Sequence, residues 1–387
     1  MPLALYLLGL AVFAQGTSEF MLSGLVPDIA RDLGVSVPAA GTLTSAFAAG
    51  MTAGAPLMAL LGRRRPARQT LLVFLSVFLA VHVVGALTSD FGVLLATRVL
   101  AALADAGFLA VGLTAATGMV APDAKGRATS VLLGGTTLAC VVGVPAGAAL
   151  GQSLGWRSAF WAVALLSAPA LAAIARSVPG GLTEPAAPGI GARAELRVLR
   201  RPRLLMTLGL GALVNGATFC TFTYLAPLAT EVTGLGAGWL PGVLALFGAG
   251  AFAGVASAGR LADRRAVPVL RAGGAALSAG WVLLALAAGH AAAAVLLVPV
   301  LGLLAFGVGA TLITQVLYEA ADAPSLAGAF ATSALNVGAA LGPLLGGAAI
   351  DGGLGYRSPV WVSALLMTAA LAGLAVAGRG EREWEPV

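Results

Sequence analysis

Apolar runs of about the length that crosses a bilayer recur along nearly the whole sequence. No other property narrows the choice of fold as far. A membrane-spanning helix needs about 20 mostly apolar residues, and its backbone polar groups must bond within the segment. Twelve runs meet that need, near 4–25, 39–61, 69–88, 91–117, 128–150, 157–178, 204–228, 238–261, 267–288, 291–317, 325–350 and 357–378. Only 10% of the 387 residues are charged and 59% are hydrophobic, where a soluble domain carries roughly 25% charged residues. That excludes a soluble enzyme and predicts an all-α membrane protein with twelve spans. No basic stretch or cleavage site accompanies the first run, so it reads as a retained span. The expected organisation is a six-helix bundle over 1–178, a polar linker over 179–203, a second six-helix bundle over 204–378 and a tail over 379–387.

Charge placement sets the orientation. With the N-terminus inside, the cytoplasmic side collects Arg63, Arg64, Arg65, Arg68, Lys125, Arg127, Arg176, Arg193, Arg197, Arg200, Arg201 and Arg203. It also collects Arg260, Arg264, Arg265, Arg271, Arg379 and Arg382. The opposite side keeps Arg31, Arg157 and Arg357, and Arg98 lies within span four. Basic residues favour cytoplasmic loops, so both termini are expected inside, in a multi-pass protein of the cytoplasmic membrane. The net charge of +6 then needs no nucleic acid partner. Cys140 and Cys220 sit in separate apolar runs, and His82 and His290 make no ligand pattern, so neither a disulfide nor a metal site is expected.

An internal repeat runs at an offset of 200 residues. Gly155-Trp156-Arg157-Ser158 returns as Gly355-Tyr356-Arg357-Ser358, and Trp161 returns as Trp361. Gly34, Gly50 and Gly54 match Gly234, Gly250 and Gly254, and Arg64 and Arg65 match Arg264 and Arg265. A fixed offset from span one to span twelve predicts two parallel six-helix repeats.

Few ionisable residues remain inside the spans, and each is costly enough to imply a function. Glu19 stands in Gln15-Gly-Thr-Ser-Glu19-Phe with long uncharged runs on both sides. A carboxyl group removed from water in this way suits proton uptake and release. Arg98 and Asp105 are seven residues apart in span four, hence on one helical face. Asp28, Asp32, Asp90, Glu231 and Asp351 fall near span ends and read as solvated. Span seven offers Asn215, Phe219, Phe222 and Tyr224. Span ten offers Thr311, Thr314, Gln315 and Tyr318, and span eleven offers Asn336. These are neutral polar and aromatic groups suited to an uncharged or weakly polar aromatic ligand, and core packing explains each of them equally well. Span five carries Gly143-Val-Pro145-Ala-Gly147 and span eleven carries Gly342-Pro343. Such residues permit close helix approach and bending.

The segment Gly259-Arg-Leu-Ala-Asp263-Arg264-Arg265 resembles the gating loop of the major facilitator superfamily. In the first half Arg63 stands where Asp263 stands in the second, so the earlier copy, with Arg64, lacks the acid. The parallel repeats also resemble the two halves of that family. The segments Ala14–Asp28, Lys125–Gly135, Asn215–Cys220 and Ala334–Gly338 are similar to those of actinomycete chloramphenicol-resistance exporters.

The resemblance implies a drug/proton antiporter rather than an enzyme. It would expel phenicols by alternating access, driven by the proton gradient and needing no cofactor. Its partners would be a small drug molecule, protons and the lipid bilayer, and a monomer is expected. It implies a substrate cavity lined by spans one, four, seven and ten, with Gln15, Glu19, Asn215, Phe219, Phe222, Tyr224, Gln315 and Asn336 as contacts. Coupling would fall to Glu19, Asp105 and Arg98, and gating to Gly259, Asp263, Arg264 and Arg64. Gly143, Pro145, Gly147, Gly342 and Pro343 would bend the helices. Related exporters of sugars or other metabolites supply the alternative substrate class.

Overall fold

The apolar runs become helices because a helix satisfies its own backbone in lipid. A computed structural model describes residues 3–61, 66–121, 124–178, 195–323 and 326–380, and among these no strand occurs. Spans one and three to six are Leu3–Gly24, Ala67–Leu87, Phe91–Gly118, Lys125–Leu154 and Arg157–Ser177. Spans seven to twelve are Pro202–Thr223, Ala237–Ala258, Ala266–Ala287, Ala291–Glu319, Ala327–Leu354 and Ser358–Ala375. Span two is Val37–Leu61. Among the described residues, eleven helices are long and apolar enough to cross a membrane. The number is twelve if Val26–Leu33 and Val37–Met58, bent by 118° to one another, count as one span.

The short helix Val26–Leu33 is an element that the apolar runs do not predict. Pro27 occupies its first turn and Gly34 ends it in the left-handed conformation, with φ of 65°. The chain divides into two compact units. One comprises Met1–Ala192 with Gly236–Ala245, and the other comprises Arg193–Leu235 with Leu246–Val387. The second unit therefore begins before span seven. Glu195, expected in the linker, is buried there and its carboxylate accepts the Leu326 N–H at 3.1 Å.

The 200-residue repeat is visible in backbone conformation. Gly34 and Gly234 both have positive φ, as do Gly155 and Gly355. In the repeated Trp/Tyr-Arg-Ser turn, Ser158 Oγ donates to the Gly155 carbonyl and Ser358 Oγ to the Gly355 carbonyl, each at 2.7 Å. Leu165 and Leu365 are both 69% exposed within the protein, so the same helix face points outward twice.

Repeated glycines also repeat their packing. Gly50 and Gly54 lie against Ala102 and Ala106 of span four, while Gly250 and Gly254 lie against the Pro299 and Leu303 carbonyls of span ten. Span one meets span five through Gly9, Gly16 and Gly135. Span seven meets span eleven through Gly216, Gly338 and Gly342. Between helices in lipid, association relies on such close van der Waals contact rather than on the hydrophobic effect. A Cβ at Gly342 would run into the Gly216 carbonyl, whereas one at Gly209 would meet nothing within 4 Å. Gly342→Val is therefore expected to sharply reduce the folded, monodisperse fraction on size-exclusion chromatography, and Gly209→Val to leave it intact.

The two proline motifs bend their helices differently. Span five passes from Lys125–Leu138 through a π-helical turn, Ala139–Gly143, into Val144–Leu154, with Pro145 in the first turn of the last piece. A π turn accommodates a residue that has no N–H to donate. Gly143 closes this turn against Thr17 of span one, and Gly147 lies against Met21. Pro343 instead sits inside the continuous helix Ala327–Ala349, and the π turn there is Ile350–Leu354.

Candidate functional site

In the first unit, spans one, three, four and six enclose a polar cluster within an otherwise apolar core. Span one is α-helical to Phe20 and then tightens into the 3-10 turn Met21–Gly24. The last four carbonyls of an α-helix lack intrahelical partners. One of these, Ser18, is supplied from span four: Arg98 Nη2 donates to the Ser18 carbonyl at 2.6 Å and Nη1 to Ser18 Oγ at 2.8 Å. A guanidinium at a helix C-terminus is also favoured by the helix dipole. Arg98 is 1% exposed. Its guanidinium carbon lies 4.6 Å from the centre of the Phe47 ring and 6.0 Å from that of Phe160.

Asp105 is buried on the same face of span four, about 10 Å further along the helix axis at 1.5 Å per residue. That separation explains why the two share a face without touching. Arg98 lies within electrostatic reach of both Glu19 and Asp105, yet among the described residues it forms no ion pair with either. Asp105 Oδ1 and Arg98 Nε have no hydrogen-bond partner. Gln15, one turn before Glu19 on the same face of span one, is 1% exposed, and both polar atoms of its amide are unpartnered. Glu19 is half-buried. The predicted coupling residues are thus gathered in one unit, with Arg98 fixed on Ser18 and with unused hydrogen-bonding capacity on Arg98 and Asp105.

Two members of the cluster escaped the sequence reading. Ser18 Oγ lies 2.7 Å from His82 Nε2, and His82 Nδ1 lies 2.7 Å from the Phe78 carbonyl. Searching histidines for metal-ligand spacing overlooks one that pairs with a hydroxyl on another span. The usable signal was an imidazole in the middle of the apolar run of span three.

In the second unit two of the predicted polar residues, Asn215 and Tyr224, hold helices together. Asn215 Nδ2 donates to the Leu335 carbonyl at 2.8 Å, fastening span seven to span eleven. Tyr224 Oη donates to the Pro343 carbonyl at 2.9 Å. Asn336 Nδ2 donates to the Thr332 carbonyl at 3.0 Å, within its own helix. Phe219 and Phe222 meet edge to face with ring centres 6.1 Å apart, and Phe222 stacks on Phe247 at 4.7 Å. Gln315 is half-buried. A cavity of about 570 Å³ opens elsewhere, beside Arg201, Pro202, Arg203, Leu204 and Glu319. Of the gating residues, Arg64 lies outside the described residues. Gly259, Asp263 and Arg264 lie in the helix Leu240–Pro268, with their side chains outside the described set.

Two of the loop acids, Asp90 and Asp32, have specific partners. Asp90 caps span four, accepting the Val93 N–H at 2.7 Å. Asp32 pairs with Arg157 and accepts the Trp156 indole N–H at 3.0 Å. Arg157 also donates to the Thr88 carbonyl at 2.9 Å, joining three connections of the first unit. The Arg157 and Trp156 hydrogen bonds hold the Asp32 carboxyl below its ordinary value. A lowered carboxyl value contributes stability above the unfolded-state value of about 3.9, and the contribution is lost as pH falls through the folded-state value. Thermal unfolding of the wild type and of Asp32→Asn should therefore differ modestly near neutral pH and converge in acid.

The profile of the Major Facilitator Superfamily matches residues 8–332. A chloramphenicol resistance protein of Streptomyces lividans is 56% identical over 372 residues, covering 96% of this chain and 95% of that protein. The inner membrane transport protein YdhP of Escherichia coli K12 is 36% identical over 95% of this chain and 93% of its own length. Among solved structures, a bacterial homologue of the human lysosomal transporter Spinster, inward-facing and unoccupied, superposes with a TM-score of 0.74 at 17% identity. The match covers 100% of this chain and 98% of that one. A mutant of the nucleoside transporter NupG gives 0.79 at 12% identity, over 96% and 98% of the two chains.

Proposed function

The chain belongs to the major facilitator superfamily, and from that premise we propose that it exports chloramphenicol-type antibiotics across the cytoplasmic membrane in exchange for protons. The observation that carries this reading is the 56% identity, over nearly the full length of both chains, to a Streptomyces chloramphenicol resistance protein. Membership makes the protein a multi-pass membrane transporter rather than an enzyme. The substrate class, the proton coupling, the alternating exposure of the site and the inward-facing termini are the proposal.

The cluster in the first unit supports the coupling. Glu19 is in reach of a fixed guanidinium and sits at the end of an α-helical segment. A proton arriving at Glu19 removes an attraction between span one and Arg98 of span four, and so alters how the two spans hold each other; one arriving at Asp105 removes an attraction within span four. Gln15, one turn away, offers an uncharged drug an amide donor and acceptor.

For an uncharged drug, one inbound proton moves one charge. A potential of about 120 mV then supports roughly a hundredfold gradient, at about 2.3 kcal/mol per 100 mV. A transporter-deficient host expressing the chain should resist phenicols and accumulate less labelled chloramphenicol, and an uncoupler should restore accumulation. Resistance to sugar analogues without resistance to phenicols would transfer the reading to metabolite export.

A further inference from the structure

We infer that His82 is a positioning residue that fixes Arg98 through the hydroxyl of Ser18. The chain of hydrogen bonds has a single consistent direction. The Phe78 carbonyl can only accept, so His82 Nδ1 carries the proton and donates across 2.7 Å. In neutral imidazole the other nitrogen is then an acceptor, and it takes the Ser18 O–H across 2.7 Å. With its proton turned toward His82, Ser18 Oγ presents lone pairs to Arg98 Nη1, which donates at 2.8 Å.

The opposite arrangement fails at two places. An imidazolium would direct Nε2–H at the hydroxyl oxygen that already accepts from Arg98. It would thereby displace the serine proton and set two cations on either side of one oxygen. Ser18, His82 and Arg98 are each no more than 1% exposed, so water cannot resolve the conflict.

The surroundings hold the imidazole in this pose. Its ring centre is 4.2 Å from Phe78 and 5.8 Å from Phe160. Phe160 is in turn pressed edge-on by Trp156 at 5.4 Å and faces the Arg98 guanidinium. Span three thus determines where a span-four cation meets span one, although His82 touches neither acid. The consequence for transport rests on the proton-coupling proposal above, whereas the assignment of the tautomer and its link to Arg98 does not.

The test follows that division. The chain has only two histidines, His82 and His290, so 15N-histidine labelling of the full-length protein in lipid bilayers gives two assignable spin systems, and His290→Gln leaves one. At neutral pH His82 is expected as the Nδ1–H tautomer, with its Nε2 resonance moving in Ser18→Ala. A cationic His82, an Nε2–H tautomer, or a resonance indifferent to Ser18→Ala would overturn the inference whatever the protein transports.

In proteoliposomes, His82→Asn keeps the donor to Phe78 and loses the acceptor for Ser18. It is expected to lower proton-driven chloramphenicol uptake about tenfold, with no further loss when combined with Ser18→Ala. His82→Gln, whose amide oxygen reaches the acceptor position, is expected to recover most of the activity. Additive losses, or no recovery with Gln, would reduce His82 to packing. An absence of proton-driven uptake in the wild type would refute the coupling proposal and leave the spectroscopic result standing.

Discussion

Glu19→Gln is expected to abolish proton-driven drug efflux while preserving drug exchange. Glutamine has the shape of the protonated acid and cannot release a proton, so the site is fixed in one of its two charge states. The substitution leaves the Ser18 contacts of Arg98 in place, because those use the Ser18 carbonyl and hydroxyl rather than the Glu19 carboxyl. Counterflow of labelled against unlabelled chloramphenicol should persist in proteoliposomes. Accumulation against a gradient should fall by about a hundredfold, the factor that one charge moving through about 120 mV sustains. Asp105→Asn provides the comparison. If it alone abolishes accumulation and Glu19→Gln does not, the coupling acid is the one buried in span four.

Arg98→Lys is expected to fail despite keeping the charge. The guanidinium bonds two acceptors of one residue at once, and a lysine ammonium is a point donor on a flexible stem. Losing one charge-assisted hydrogen bond at roughly 1.5–3 kcal/mol corresponds to about a tenfold to hundredfold loss of driven transport. Arg98→Ala should cost more, since it removes the donor to the Ser18 carbonyl and one of the two partners of the Ser18 hydroxyl in a dry core, and leaves two acids without a counter-charge. Removing one partner of a buried charge network destabilises by roughly 3–5 kcal/mol. Thermal unfolding in detergent and initial rates of driven uptake separate the two. Arg98→Lys should move the rate far more than the melting temperature, and Arg98→Ala should lower both.

Much of the architecture was legible because lipid leaves a chain few choices. Span three, expected over 69–88, is Ala67–Leu87, and span ten, expected over 291–317, is Ala291–Glu319. The 200-residue repeat read from Gly34, Gly155 and their counterparts reappears as matched left-handed turns. The helix Val26–Leu33 was hidden because its eight residues, with Asp28, Arg31 and Asp32, lack the sustained apolar pattern that marks a span. Pro27 in its first turn and Gly34 at its C-cap mark its two ends.

The site was legible in its charges and not in its connections. Glu19, Arg98 and Asp105 stand out because ionised groups are scarce in the spans. Ser18 does not, and His82 is marked only as an imidazole inside an apolar run; their pairing becomes visible only when the fold places them 2.7 Å apart. Asn215 and Tyr224 show the converse. Their chemistry suits a ligand, and their actual partners are carbonyls of span eleven. Sequence alone does not distinguish a polar side chain aimed into open space from one bonded to the next helix.

The central claim is that phenicol leaves as a proton enters, and drug-dependent proton movement tests it most directly. The purified full-length chain would be reconstituted into proteoliposomes containing a pH-sensitive dye, with an inwardly acidic gradient imposed. Adding chloramphenicol outside should release lumenal protons as drug enters. The rate should saturate with drug concentration and be absent in Glu19→Gln vesicles that still exchange drug. Drug uptake at the same rate with and without the gradient, and with no proton release, would contradict the account.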